Sequence, residues 1–330
     1  MSMRTLAVKV ESWPIKGSFR IARGAKTEAQ LVIAEITDGG ARGRGECVPY
    51  ARYGETVESV RHAIDGLASD IANGLTRAEL ATRLEAGAAR NALDCALLDW
   101  EAKRRGVRAH EILGLAPPKP VRTAFTLSLD APDAMGRAAA EAAASGYRLL
   151  KLKVSGSEDL ARVEAVRKAA PKASLIIDAN EGWMFDDLVR LAPELAKLRV
   201  GLIEQPLKAS EDEPLAGFVS PVPLCADESC HTRKDLPRIL GRYDHINVKL
   251  DKAGGLTEAV PLALEAKAQG LKLMVGCMVS TSLSMAPAVL IAGMAEFVDL
   301  DGPLLLARDR EPGLAFRGDV IEPPPPELWG

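Results

Sequence analysis

A parallel (β/α)-barrel behind a small N-terminal α+β unit is the α/β fold that this sequence predicts. Two observations lead there. From about residue 120 onward, short apolar stretches end in polar residues at a near-constant interval, each followed by a turn and an Ala/Leu/Lys-rich segment. The first 115 residues lack that rhythm and run strands first, helices after.

In the first unit "TLAVKVESW", "QLVIAEITDG" and "RGRGEC" read as strands, and "DGG" at 38–40 predicts a hairpin turn. Two helices are expected, over 56–72 and 88–105, the second burying Leu93, Leu97, Leu98 and Trp100. "GLAPPKP", 114–120, reads as a linker and puts the boundary near residue 118. Beyond it the strand ends align at Thr126, Lys153, Asp178, Glu204, Asp227, Lys249, Gly276 and Asp299, with gaps of 27, 25, 26, 23, 22, 27 and 23 residues. A strand and its return helix consume that length. Eight ends in succession favour a closed barrel over an open doubly wound sheet, and no GxGxxG follows the first strand. In such barrels the C-terminal strand ends form the active face, and here they carry the charges.

Composition narrows the partners. With 47% hydrophobic and 26% charged residues and a net charge of −3, the chain has no electrostatic footprint for nucleic acid. Its apolar runs are too short or interrupted to span a membrane, and "MSMRTLAVKV" lacks the apolar region of a secretory signal. Five scattered cysteines and four histidines speak against a disulfide framework or a zinc site. A cytoplasmic enzyme with a small-molecule substrate is expected, with homo-oligomerisation left open.

Asp178 in "LIIDAN", Glu204 in "GLIEQP" and Asp227 in "PLCADES" arrive on three consecutive strands. Singly, each reads as a helix cap or a lysine partner. Three at matching depth read as oxygen ligands of Mg²⁺. Lys151 and Lys153 of "YRLLKLKVSG" share one strand face, and Lys249 of "INVKLDKAGG" follows the trio. A lysine beside another ammonium and a divalent cation has its neutral form favoured, as a general base requires. Lysines on opposite sides of a metal-held carboxylate suit a 1,1-proton transfer, one removing a proton and the other returning it.

The constellation "KLK", "DAN", "EQP", "ADES" and "NVKLDKAGGL" resembles the enolase superfamily, in its muconate-lactonizing subgroup. The resemblance implies a capping domain over 1–118, a modified (β/α)7β barrel over 119–303, and a tail, 304–330, returning to the cap. It implies Asp178, Glu204 and Asp227 as ligands of one Mg²⁺, Lys153 and Lys249 as the acid/base pair, and Lys151 as the neutraliser of substrate carboxylate or enolate.

Within the subgroup the likeness is to dipeptide epimerases, with L-Ala-D/L-Glu as the implied substrate in murein peptide metabolism. "FVDLDGP" supplies Asp299 and Asp301, acceptors for a substrate ammonium if the strand persists that far. The polar stretch "FRIARGAKTEAQ", 19–30, is expected as a loop over the barrel mouth, with Arg23 receiving an acidic side chain and Arg20 and Lys26 as rivals. Thr126 is a further expected substrate contact, and Asn180 and Glu228 are expected to orient ligands or a lysine. The chain departs from many relatives at Ser280, where they carry Glu. A cycloisomerase, an o-succinylbenzoate synthase and an N-acyl amino acid racemase use the same machinery, and a metal-free Schiff-base aldolase is the rival of another class. Cys225, Cys230 and Cys277 are read as packing, and "EPPPPELW" as a rigid extended segment packing against the surface or left disordered.

Overall fold

The computed structural model describes residues 3–330. It opens with an antiparallel sheet in the order β1 (Thr5–Ile21), β2 (Gly24–Thr37) and β3 (Arg42–Cys47). The first two strands run past their predicted limits, pairing Thr5 with Thr37 and, beyond an irregularity between Pro14 and Phe19, Ile21 with Gly24. Residues 19–30, expected as a loop, are instead the far end of a hairpin whose turn is Ala22–Arg23. Solvent lies on both faces of this arm, and only Ala29 within it is buried, so no apolar alternation marks the pairing. The expected "DGG" turn is present, with Asp38 Oδ1 accepting from the backbone N of Gly40 and Ala41 at 3.0 and 2.9 Å.

Five helices follow where two were expected: α1 (Val57–Asp65), α2 (Ala68–Ala72), α3 (Arg77–Arg83), α4 (Ala88–Arg105) and the short α5 (Ala109–Ile112). The 56–72 segment breaks at Gly66 and Leu67, and a Thr76–Glu79 capping box starts α3. Gly43 and Gly45 let β3 lie directly on α4. A Cβ on Gly43 would stand 2.1 Å from Ala96 O, and one on Gly45 2.0 Å from Ala92 O. Around this contact Val32, Ile36, Ile64, Leu80, Leu93 and Leu97 form the core of the cap.

After β4 (Val121–Arg122) come eight parallel strands, neighbours in chain order: β5 (Phe125–Leu127), β6 (Leu149–Lys153), β7 (Ser174–Asp178), β8 (Val200–Glu204), β9 (Leu224–Ala226), β10 (His245–Val248), β11 (Lys272–Gly276) and β12 (Phe297–Asp299). The ring closes where Ala124 N, just before β5, donates to Val298 O of β12 at 2.7 Å. Lys153, Asp178, Glu204, Gly276 and Asp299 end their strands as predicted. Asp227 and Lys249 lie one residue beyond theirs, and Thr126 one residue inside.

Full return helices α6 (Pro132–Ala144), α7 (Asp159–Ala169) and α8 (Phe185–Lys197) follow β5, β6 and β7. The next two intervals carry less than the predicted repeat: a 3-10 turn (Glu213–Leu215) after β8 and α9 (Leu236–Ile239) after β9. Then α10 (Leu250–Ala253) and α11 (Leu256–Ala268) follow β10, α12 (Ser282–Ala292) follows β11, and α13 (Gly302–Leu305) follows β12.

Leu149, Ile176, Leu202, Cys225 and Met274 fill the barrel interior with Phe297. Inward residues alternate along a strand, so the next inward layers are Lys151 and Lys153, Asp178, Glu204 and Asp227. Leu150 and Leu152 face the helices.

The tail forms β13 (Phe316–Arg317) and β14 (Val320–Ile321), and β14 pairs antiparallel with β4. Its end then lies against α4. Trp329 Nε1 donates to Cys95 O at 3.2 Å and Gly330 N to Asp99 Oδ1 at 2.7 Å, both on α4. "EPPPPELW" packs against the cap with its last two residues, Leu328 and Trp329, fully buried.

Candidate active site

The three carboxylates expected as ligands sit side by side. Asp178 and Glu204 are register partners on β7 and β8, Asp227 lies one residue past the end of β9, and none is more than 1% exposed. Lysines meet them closely. Lys153 Nζ lies 2.5 Å from Asp178 Oδ2, and Lys249 Nζ 2.6 Å from Asp227 Oδ2. Lys151 Nζ reaches Glu204 at 2.6 Å, Asp299 at 2.8 Å and Asp178 at 3.2 Å, bridging the trio to the last strand.

Burial alone would raise Asp178, but Lys153, Lys151 and Lys249 outweigh it and hold its carboxyl below the usual range. Asp227 is lowered as well, because Lys249 and Lys252 overcome its burial. Glu204 goes the other way: burial and the charge of Asp178 raise it against Lys151. For Lys249, burial favours the neutral form, but Asp227 and Glu204 outweigh it and raise the ammonium above its ordinary value.

Asp299 ends β12, and Asp301 lies beyond it, capping α13, so the strand does not persist through the pair as the expected shared face requires. Both carboxylates still converge on Thr126, whose backbone N donates to Asp301 at 2.6 Å and whose hydroxyl donates to Asp299 at 3.3 Å. Buried Thr126 thus orients the acid pair. Burial and neighbouring Asp299 push Asp301 up to about 7.

The hairpin turn brings Arg23 to the barrel rim. Its guanidinium donates to Asn180 O at 2.8 Å, Glu228 Oε1 at 2.8 Å, Tyr50 OH at 3.0 Å and Glu181 Oε2 at 3.3 Å. Of its rivals, Arg20 is tied through its backbone N to Ser128 Oγ at 2.7 Å, and Lys26 lies over the Tyr50 ring at 5.6 Å. The ring centroid of Phe19, on the same arm, stands 5.9 Å from Lys153 Nζ. A cavity of about 520 Å³ adjoins this rim, lined among others by Arg52, Tyr53, Glu228, His231 and Asp251.

Three further residues organise the site without having been read from the sequence. Asn247 Nδ2 donates to Glu204 Oε1 at 2.7 Å, in space that a Cβ on Gly276 would fill at 2.6 Å from Asn247 Oδ1. Gln205, at φ +36, accepts the backbone N of Asp227 at 2.8 Å and donates to Ser229 Oγ at 2.8 Å. Lys252 is buried beneath Asp227. Of the residues expected to orient ligands or a lysine, Asn180 donates its backbone N to Asp178 Oδ1 at 2.9 Å, whereas Glu228 pairs with Arg23 instead. Ser280 is buried, and its hydroxyl donates to Met278 O at 3.0 Å. All five cysteines are free thiols, and burial raises Cys225, Cys230 and Cys277 well above their ordinary value.

The donor chemistry suits a hard divalent cation: three oxygen-only side chains, with Glu204 raised by burial and by its neighbour Asp178. Glu204 Oε2 and Asp227 Oδ1 are buried without a well-formed hydrogen bond, although Lys151 and Lys252 lie 2.6 and 2.7 Å away. Among the described residues no three His, Cys, Asp or Glu side chains are gathered closely enough to hold a metal as they stand. Lysine ammonium groups stand between the carboxylates instead.

Two family models match the chain: the mandelate racemase / muconate lactonizing enzyme N-terminal domain over residues 3–114 and the enolase C-terminal domain-like model over 134–324. The chain belongs to the enolase superfamily. Among its relatives in that superfamily, L-Ala-D/L-Glu epimerase of Escherichia coli (strain K12) is 47% identical over 95% of this chain and 98% of its own. N-acetyl-D-glutamate racemase of a Pseudoalteromonas species is 45% identical, over 91% and 95%. The crystal structure of an enolase family member from Agrobacterium tumefaciens with homology to dipeptide epimerases, holding sodium and L-Ala-L-Glu, superposes with a TM-score of 0.96 at 52% identity, over 99% and 100%.

Proposed function

We propose that the protein is an L-Ala-D/L-Glu epimerase, an isomerase that inverts the α-carbon of the C-terminal Glu residue. One observation carries the reading: β6 and β10 are four strands apart in an eight-stranded ring, so Lys153 and Lys249 stand on opposite walls with the carboxylates between them. One lysine removes the α-proton from its face, and the other delivers a proton to the opposite face. Asp178, Glu204 and Asp227 are the residues to hold one Mg²⁺. When bound, that ion supplies positive charge to the substrate carboxylate and the developing enolate, and offsets the carboxylate charge that keeps Lys249 protonated.

Lys151 adds a fixed positive charge beside the same carboxylate. Asp299 and Asp301 oppose two carboxyl groups to the one ammonium of Lys151, leaving acceptor capacity for the ammonium of L-Ala. Arg23 receives the side-chain carboxylate of Glu in exchange for Glu228. The reading implies the handling of murein-derived peptides in the cytoplasm, and no helix among the described residues is long and apolar enough to cross a membrane.

Racemisation of N-acetylglutamate is the second reading, favoured by the Pseudoalteromonas relative. The substrates share the Glu carbon and differ at the group meeting Asp299 and Asp301. The test incubates the protein with Mg²⁺ in D₂O and, separately, L-Ala-L-Glu, L-Ala-D-Glu and N-acetylglutamate, following the α-proton by NMR. Both dipeptides should exchange and interconvert, and EDTA should stop them. Exchange confined to N-acetylglutamate would transfer the assignment to the second reading, and exchange of none would end both.

A further inference from the structure

We propose that Lys252 is a positioning residue for the proton transfer at Lys249 and not for the one at Lys153. This rests on the two-lysine reading above. Lys252 is among the largest fully buried side chains, at 1% exposure. A buried ammonium needs acceptors for its three protons. Here they are carbonyls of the segment that follows β9 and of β10 itself: Asp227 O at 2.5 Å, Cys230 O at 2.9 Å and Asn247 O at 2.9 Å. The side chain therefore ties the segment after β9, which carries Asp227, to β10, which leads into Lys249.

The two lysines also divide one carboxylate between them. Lys252 Nζ stands 2.7 Å from Asp227 Oδ1, and Lys249 Nζ 2.6 Å from Oδ2. The helical turn α10 makes this convergence possible: Lys249 is its N-cap, and Lys252 N donates to Lys249 O at 3.1 Å, so both side chains leave one face. Gly254, at φ +77, ends the turn where a Cβ would meet Arg90 Nε at 2.3 Å, and Arg90 of the cap donates to Ala253 O at 2.7 Å. Lys252 is thus fixed from both sides. With its protons committed to carbonyls, its part is to hold Lys249 and Asp227 at a set separation. On the opposite wall, among the described residues, Asp178 is the one carboxylate that pairs with Lys153.

The test compares deuterium uptake at the Glu α-carbon from L-Ala-L-Glu and L-Ala-D-Glu, at saturating Mg²⁺, in the wild type, Lys249→Ala and Lys252→Met. Lys249→Ala identifies the epimer that Lys249 deprotonates. Lys252→Met should slow uptake from that epimer by about ten- to a hundredfold and leave the other within about threefold. Lys252→Arg, which keeps the charge but not the three-carbonyl fit, should show the same bias. Equal losses for both epimers, or no loss in Lys252→Met, overturn the proposal. So does a Lys252→Met chain with no cooperative unfolding transition, which makes Lys252 a folding requirement. A wild type that exchanges neither epimer strikes instead at the proposed function.

Discussion

Lys153 and Lys249 are the same functional group in different company. Lys153 pairs with Asp178 under the ring of Phe19, whereas Lys249 shares Asp227 with a second buried ammonium. If they serve opposite faces, Lys153→Ala and Lys249→Ala should each lower epimerisation by about 10²–10⁴. Each should keep α-proton exchange from one epimer, and not the same one. NMR in D₂O reads both, and an identical exchange pattern in the two variants would remove the opposite-wall assignment. Arg23 poses a different question, because Glu228 already holds it at 2.8 Å and a substrate carboxylate must compete. Arg23→Gln is expected to raise KM for L-Ala-L-Glu about tenfold with a smaller change in kcat. Steady-state kinetics decide it: a fall in kcat at constant KM would make Arg23 part of the closing arm and not a specificity contact.

The cap depends on a near-contact between two elements. Gly45 brings β3 so close to α4 that a Cβ would sit 2.0 Å from Ala92 O. Gly45→Ala should therefore force strand and helix apart and cost about 1–3 kcal/mol or more in urea unfolding. A loss under about 0.5 kcal/mol, the size of a neutral surface change, would mean the pair can part freely. Nothing in "RGRGEC" announced this, since the partner carbonyl comes from a helix distant in sequence. The barrel strand ends were legible for the opposite reason: each is a local boundary between an apolar run and a polar residue. Where the signal was not local, reading failed. The 19–30 arm is exposed on both faces and so showed no alternation. The intervals 204–227 and 227–249 matched the repeat in length while lacking a full helix. At the site the charged strand ends were legible. Lys252, Asn247 and Gln205 were not, because their partners, a carbonyl, a carboxylate and a backbone N–H, are brought by other segments of the chain.

At the scale of the whole molecule, buried polar contacts join cap, barrel and tail. Glu46 of β3 accepts from Thr281 N and Oγ1 of the barrel at 2.8 and 2.6 Å and from Arg310 of the tail at 2.7 Å. Asp251 of α10 accepts from Asn91 Nδ2 and Val48 N of the cap at 2.8 and 3.2 Å. Burial pushes Asp251 up to about 7 against the hydrogen bond from Asn91. The folded chain therefore keeps this proton where the unfolded chain, with an ordinary carboxyl near 3.8, has released it. Its contribution is intact below the unfolded value and is lost as pH rises through that window to about 7. Asp251→Asn should accordingly raise Tm relative to the wild type more at pH 8 than at pH 5. Equal differences at the two pH values would show that Asp251 ionises freely in the folded protein.

The tail has a consequence for engineering. It pairs with β4 beside the barrel and then locks Trp329 against α4, so the polypeptide is stitched and not strung. A graft that exchanges the N-terminal part to alter substrate choice has to bring the C-terminal segment from the same donor, or leave an indole without its socket.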